Sequence, residues 1–112
     1  MSSPTQRSLA ACRKEGLICA VVEKWNPHSK TRHDLFGLFD LLVLDPESDS
    51  DGRIYGIQVC AGASHAARKA KMLAEPRLEI WKSAGGKAVI HSWTKKGPRG
   101  KRKMWSLRTE TL

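Results

Sequence analysis

The sequence predicts an α/β domain, a mixed β-sheet flanked by helices, in the order helix, three strands, helix, two strands (αβββαββ). Three observations predict it. Five short segments carry continuous apolar runs or strict alternation over strand length. Two longer segments carry helical spacing with start and stop residues. Clusters of Gly, Pro, Asn, Asp and Ser separate them. With 112 residues and 40% hydrophobic content, the chain suits a single globular domain spanning 1–112.

The first helix is expected from Ser3 to Gly16. Ser3 can cap it, Pro4 suits its first position and Gly16 can end it. Leu17 to Val22 reads as a buried strand, and Asn26 to Thr31, with Pro27 and Ser29, as a loop. Leu38 to Leu44 (LFDLLVL) is the second strand, Pro46 to Gly52 a turn and Arg53 to Cys60 the third strand. The short connection implies an antiparallel hairpin. A turn centred near Asp49 sets Asp40 opposite Gln58.

A second helix is expected from Ser64, its cap, to Ala74. Its face of Ala63, Ala66, Ala67 and Ala70 would pack close to the sheet, leaving His65, Arg68, Lys69 and Met72 on the other side. Pro76 breaks this helix and restarts it as far as Ala84, and Gly85 and Gly86 stop it. Lys87 to Thr94 alternates, with Val89, His91 and Trp93 on one face. Arg102 to Thr109 alternates again, and a turn near Arg99 makes Trp93 and Trp105 cross-strand partners.

The formal net charge of +9 is the strongest bulk signal. From Lys82 to Arg108 there are nine Lys or Arg and no acid, whereas Asp40 to Gly52 holds five acids and no base. Such segregation points to a polyanion-binding surface. KKGPRGKRK, a hairpin tip with six basic residues, suits phosphate-backbone contact. The expected nucleic-acid contacts are Arg68, Lys95, Lys96, Arg99, Lys101, Arg102 and Lys103. No apolar run reaches the roughly 18–20 residues that span a bilayer, and the opening residues lack the apolar stretch of a secretory signal. Three widely spaced cysteines suggest no disulfide framework. The expectation is a cytoplasmic protein without membrane contact.

Asp40 interrupts an apolar run, and a buried unpaired carboxylate is expensive. It can cap a strand end or pair with Arg32 or Arg68. Gln58 breaks the third strand at the matching point, so two polar interruptions meet across the hairpin and look like a site.

The segment RHDLFGLFDLLVLD, followed by YGIQVCAG and the final GGKAVIHSWTKKGPRGKRKMWSLR, resembles the PD-(D/E)XK nuclease superfamily, in particular its small phage and archaeal Holliday-junction-resolvase-like members. The resemblance runs from about Ser8 to Arg108. It implies a restriction-endonuclease-like core and a magnesium- or manganese-dependent endonuclease that is structure-selective on DNA, branched DNA included. A homodimer is implied too, and a host-cell cytoplasm if the chain is phage-encoded. Carboxylates in such a site hold a hard cation beside the scissile phosphate. The superfamily pattern is an Asp on the second strand and Glu-x-Lys on the third. Here Asp40 is followed by Gln58-Val59-Cys60. Gln adds no charge, and Cys60 supplies no fixed cation. Lys69 or Lys71 on the next helix can replace the missing lysine. Asp34, Asp40 and Gln58 are the expected metal set, with Glu15 and Glu23 as further acids near the first helix and strand. The alternative is a catalytically inactive PD-(D/E)XK-like DNA-binding accessory protein.

If the basic tip grips the phosphate backbone, replacing Lys101, Arg102 and Lys103 with Ala should weaken DNA binding equally for all sequences. The slope of log affinity against log salt should fall by about 0.9 per lost contact. Fluorescence anisotropy over a salt series measures both.

Overall fold

A computed structural model of the chain describes residues 3–46, 54–97, 100 and 103–112. Its elements are α1 (Pro4–Lys14), β1 (Ile18–Val21), β2 (Lys24–Asn26), β3 (Thr31–His33), β4 (Leu41–Leu44), β5 (Ile54–Ala61), α2 (His65–Ala74), α3 (Arg77–Ser83), β6 (Lys87–Lys96) and β7 (Met104–Thr111). Five strands form one mixed sheet in the order β1-β4-β5-β6-β7, and β2 and β3 form a separate hairpin. Among the described residues only β5 and β6 run parallel, a pairing that needs a crossover, and α2 and α3 supply it.

Helix starts and stops follow the sequence closely. Ser3 Oγ accepts the Gln6 N–H at 3.2 Å, Pro4 opens α1, and Gly16 and Gly85, with φ of +82° and +99°, follow the ends of α1 and α3. α2 differs, because Ser64 makes no side-chain cap bond and a 3₁₀ turn, Gly62–Ser64, leads into the helix. The β4–β5 register is the one expected: Leu41 faces Ile57 and Leu42 faces Gly56. The turn residues 47–52, together with Arg53, Arg99, Lys101 and Arg102, lie outside the described residues.

Four expectations change. The expected loop of residues 26–31 stands, but two short strands not expected on either side of it, β2 and β3, make it the turn of a hairpin. Asn26 Oδ1 accepts the backbone N–H groups of His28 and Ser29, and Lys30 takes a positive φ. β1 is an edge strand with Ile18 and Val21 exposed, because it pairs on one side only. In the β6–β7 hairpin Trp93 faces Leu107 and Trp105 faces Lys95, so the two tryptophans are not partners. The turn centres on Gly100, whose φ of +80° costs a glycine nothing.

The fourth change reverses α2. Its alanines at 66, 67 and 70, and Ala63 before it, are exposed, while His65 and Met72 face the sheet. A Met side chain buries far more apolar area than a methyl group, and polar bonds fix the same orientation. His65 Nδ1 lies 2.7 Å from Ser92 Oγ, and His65 Nε2 lies 2.8 Å from Glu110 Oε1.

Two cores sandwich the sheet. Leu9 and Cys12 of α1 pack on Leu41, Val43, Ile57 and Val59. On the other face Met72 and Leu78 pack with Leu38, Phe39, Cys60, Ala88 and Ile90. Phe39 lies flat over Gly56, where any Cβ would collide with its ring. α1 is also pinned by Ser8, whose Oγ accepts from Trp93 Nε1 at 2.8 Å and meets His91 Nδ1 at 3.0 Å. Burial pushes the His91 imidazole down to about 4, so it stays neutral at physiological pH.

Met72→Ala should cost about 2–4 kcal/mol of stability. Ala67→Ser on the opposite face should stay within about 0.5 kcal/mol of the parent. Urea denaturation of the two variants checks which face of α2 is buried.

Candidate metal centre

The segment Asp34–Asp40 brings two carboxylates together by folding back on itself. Leu35 N–H donates to Phe39 O at 2.8 Å, and Leu35 and Phe39 form an isolated antiparallel bridge. The next residues out are Asp34 and Asp40, which therefore face each other. Phe36 and Gly37 both take positive φ, the sharp reversal that this closure requires. A third acid arrives from the residues that follow β1. Val22 N–H donates to Asp40 O at 2.9 Å, which places Glu23 alongside. One ligand oxygen from each of Glu23, Asp34 and Asp40 lies within 4.8 Å of the others.

These acids line a cavity of about 580 Å³, together with Gln58, Trp25, Arg32, Arg68, Lys71 and the first turn of α1. The cavity is thus acidic at its floor and carries cations from α2 and β3. Arg32 pairs with Glu23 at 3.7 Å.

Asp40 is 5% exposed. It sits where β4 parts from β5, and that parting would leave the Val59 N–H without a partner. Asp40 Oδ2 accepts this N–H at 2.8 Å. The matching orphan is the Leu38 carbonyl, and Gln58 Nε2 donates to it at 2.6 Å. The same Gln58 nitrogen donates to Asp34 Oδ2 at 3.1 Å. A flipped amide would set its oxygen against a carbonyl and a carboxylate, so the orientation is fixed. Gln58 offers the cluster a hydrogen-bond donor and thereby orients Asp34. The nearby carboxylate that completes the set is Glu23. Glu15 lines a second cavity, with Tyr55, Lys87 and His91.

Burial raises the Asp40 carboxyl to about 7. The Val59 N–H opposes this rise, and the negative charges of Asp34 and Glu23 add to it. A divalent cation reverses the logic, since it favours the charged form of every acid in the cluster.

The cations sort differently from expectation. Lys71 lines the cavity, as does Arg68. Lys69 does not, because its ammonium is tied to Glu110 on β7. The helical turn that sends His65 to the sheet carries Lys69 the same way. Cys60 is buried, its thiol raised by desolvation and by Asp40, and lowered by the Arg68 guanidinium. Arg68 thus adds a positive charge to the surroundings of the Cys60 thiol. Lys95, Lys96 and Lys103 are exposed at the far end of the β6–β7 hairpin. The Arg7 guanidinium covers Trp105 at 3.6 Å from the ring centroid, and Lys95 lies 5.2 Å from it. Glu23 and Arg68 are the functional candidates that sequence reasoning underweighted. The β1–β4 register, extended by the Val22 N–H to Asp40 O bond, sets Val22 opposite Asp40 with Glu23 next in the chain.

The metal-free protein should lose stability as pH rises from the unfolded carboxyl value near 4 through about 7, because the native state favours protonated Asp40. Asp40→Asn should therefore be more stable than the parent at about pH 8, on the order of 1–3 kcal/mol, and the gap should close at about pH 4. Magnesium or manganese should stabilise the parent more at about pH 8 than at about pH 6, with proton release. Calorimetric melts in EDTA and in metal measure both effects. Among the described residues no helix is long and apolar enough to cross a membrane. Comparison with protein-family models, curated proteins and solved structures finds no match for this chain.

Proposed function

We propose that this chain is a magnesium- or manganese-dependent DNA endonuclease of the PD-(D/E)XK type, working as a homodimer on branched DNA. One observation carries the reading: Glu23, Asp34 and Asp40 converge within 4.8 Å in a cavity that also holds Arg68 and Lys71, on a chain of net charge +9. Carboxylates alone repel a phosphodiester, and cations alone cannot hold a divalent ion. The combination suits a phosphate approached by metal and guanidinium together.

In this reading Glu23, Asp34 and Asp40 hold the cation. Bound there, the ion would supply an activated water and offset charge on the phosphoryl oxygens. Gln58 keeps Asp34 aimed at the cluster. Arg68 takes the charge-stabilising part of the absent lysine, because it lines the same cavity as the three acids. Lys71 and the basic β6–β7 hairpin bind the flanking backbone. A second copy provides a second cavity, which cutting two strands requires.

The rival reading is a DNA-binding accessory protein without catalysis. It is favoured by the structural employment of both Asp40 and Gln58, which satisfy the Val59 N–H and the Leu38 carbonyl.

Cleavage of a four-way junction, a duplex and a single strand, each with magnesium, manganese or EDTA, separates them. The nuclease reading expects metal-dependent nicking, lost by at least about 100-fold in Asp34→Asn and Asp40→Asn with DNA binding retained. Arg68→Ala should slow the reaction about 10- to 1000-fold, and Lys69→Ala should leave it near parental. No cutting of any substrate by a folded, DNA-binding parent establishes the accessory reading.

A further inference from the structure

We infer that Trp25, flanked by Lys24 and Arg32 on the β2–β3 hairpin, is a stacking platform for an unpaired base of the strand whose phosphate enters the carboxylate cavity. This deepens the nuclease reading and rests on it. It assigns the site a substrate class: DNA that presents an unstacked base, as a flap, a branch point or a single strand does.

Trp25 is 58% exposed and lines the cavity that holds Glu23, Asp34 and Asp40. Among the described residues its ring has neither an aromatic nor a cationic partner, whereas Trp81 packs on Phe39, Trp93 bonds Ser8 and Trp105 lies under Arg7. The hairpin that carries it pairs only with itself and contributes to neither core. Local polar bonds shape it, including Asn26 to the turn N–H groups and Thr31 Oγ1 to His33 Nε2 at 2.9 Å. The tryptophan is therefore not there to bury itself.

Trp25 and Arg32 are directly opposite in register. The hairpin from Lys24 to His33 has no acid, and Lys24, Lys30 and Arg32 are all exposed. A flat exposed ring on an acid-free hairpin that carries Lys24, Lys30 and Arg32 matches a nucleotide, a flat base joined to anionic phosphates. Any base offers a π-face, so the contact carries no sequence preference. In a continuous duplex both faces of each base are already stacked, and Trp25 then has nothing to cover.

The test measures binding of the full chain in EDTA, without cleavage, to a labelled oligothymidylate, a flapped duplex and a blunt duplex at one salt concentration. Trp25→Ala should lower affinity for the first two about 10- to 100-fold, and for the duplex less than about 2-fold. Trp25→Phe should restore much of the loss, and its unchanged thermal melt should show that the fold is intact. The parent's tryptophan fluorescence should be quenched by oligothymidylate, with that quench reduced in Trp25→Phe. Equal losses on all three DNAs, or none, would overturn the platform. Its failure is distinguishable from failure of the nuclease reading. Trp25-dependent single-strand binding without any metal-dependent cutting keeps the platform and removes the nuclease. Metal-dependent cutting whose substrate preference is unchanged in Trp25→Ala removes the platform alone.

Discussion

The site depends on the parting of β4 from β5 at Asp40. Two paired strands can separate inside a protein only if the backbone groups they release find new partners. Here the partners are side chains, the Asp40 carboxylate for the Val59 N–H and the Gln58 amide for the Leu38 carbonyl. The cost is a buried acid whose charged form is disfavoured. The gain is a wedge between strands, open at the cavity, with rigid walls supplied by the sheet. The turn through Phe36 and Gly37 exists only because the chain leaves the ladder at this point, and that turn delivers Asp34.

A second constraint sits on the opposite side of the wedge. α2 can rotate about its own axis unless something fixes it, and a ten-residue helix of small residues has little shape to do so. Met72 and the Ser92–His65–Glu110 chain supply the fixing contacts, joining α2 to β6 and β7. Lys69 and Arg108 gather on Glu110 as well, and the lysine and His65 hold its carboxyl down at about 2. Once that edge faces β7, Arg68 and Lys71 are left facing the cavity. The cation wall is thus a by-product of where a histidine and a methionine are buried.

Much of this was legible in the sequence, for physical reasons that differ by element. The β4–β5 hairpin was readable because apolar runs of strand length flank an acidic turn, and the register followed from its centre. Asp40 and Gln58 stood out because polar residues in apolar runs need an explanation. The β2–β3 hairpin was not readable: its strands are three residues long, polar and exposed, and local side-chain bonds shape them. The face of α2 was misjudged because alanine is equally at home inside and outside, whereas the burial of Met72 and the bonds of His65 decide the orientation. The choice among Arg68, Lys69 and Lys71 turned on that rotation, about 100° per residue. Glu23 was visible as the residue closing β1. Its partnership needed the β1–β4 register, which an edge strand with little alternation does not announce.

The Ser8 clamp has a consequence for how the chain acquires its shape. Ser8 bonds His91 and Trp93, partners 83 and 85 residues further along. α1 therefore cannot reach its final seat until nearly the whole chain has left the ribosome. The parallel β5–β6 pairing is equally late, waiting on the crossover helices. Contacts of such long sequence separation slow folding, since loop-closure entropy is spent before they form. Before then α1 can pack on β1 and β4 through Leu9 and Cys12, but without the Ser8 bonds that fix its seat. The helix that covers one face of the sheet is thus locked in place only by residues from the last quarter of the chain.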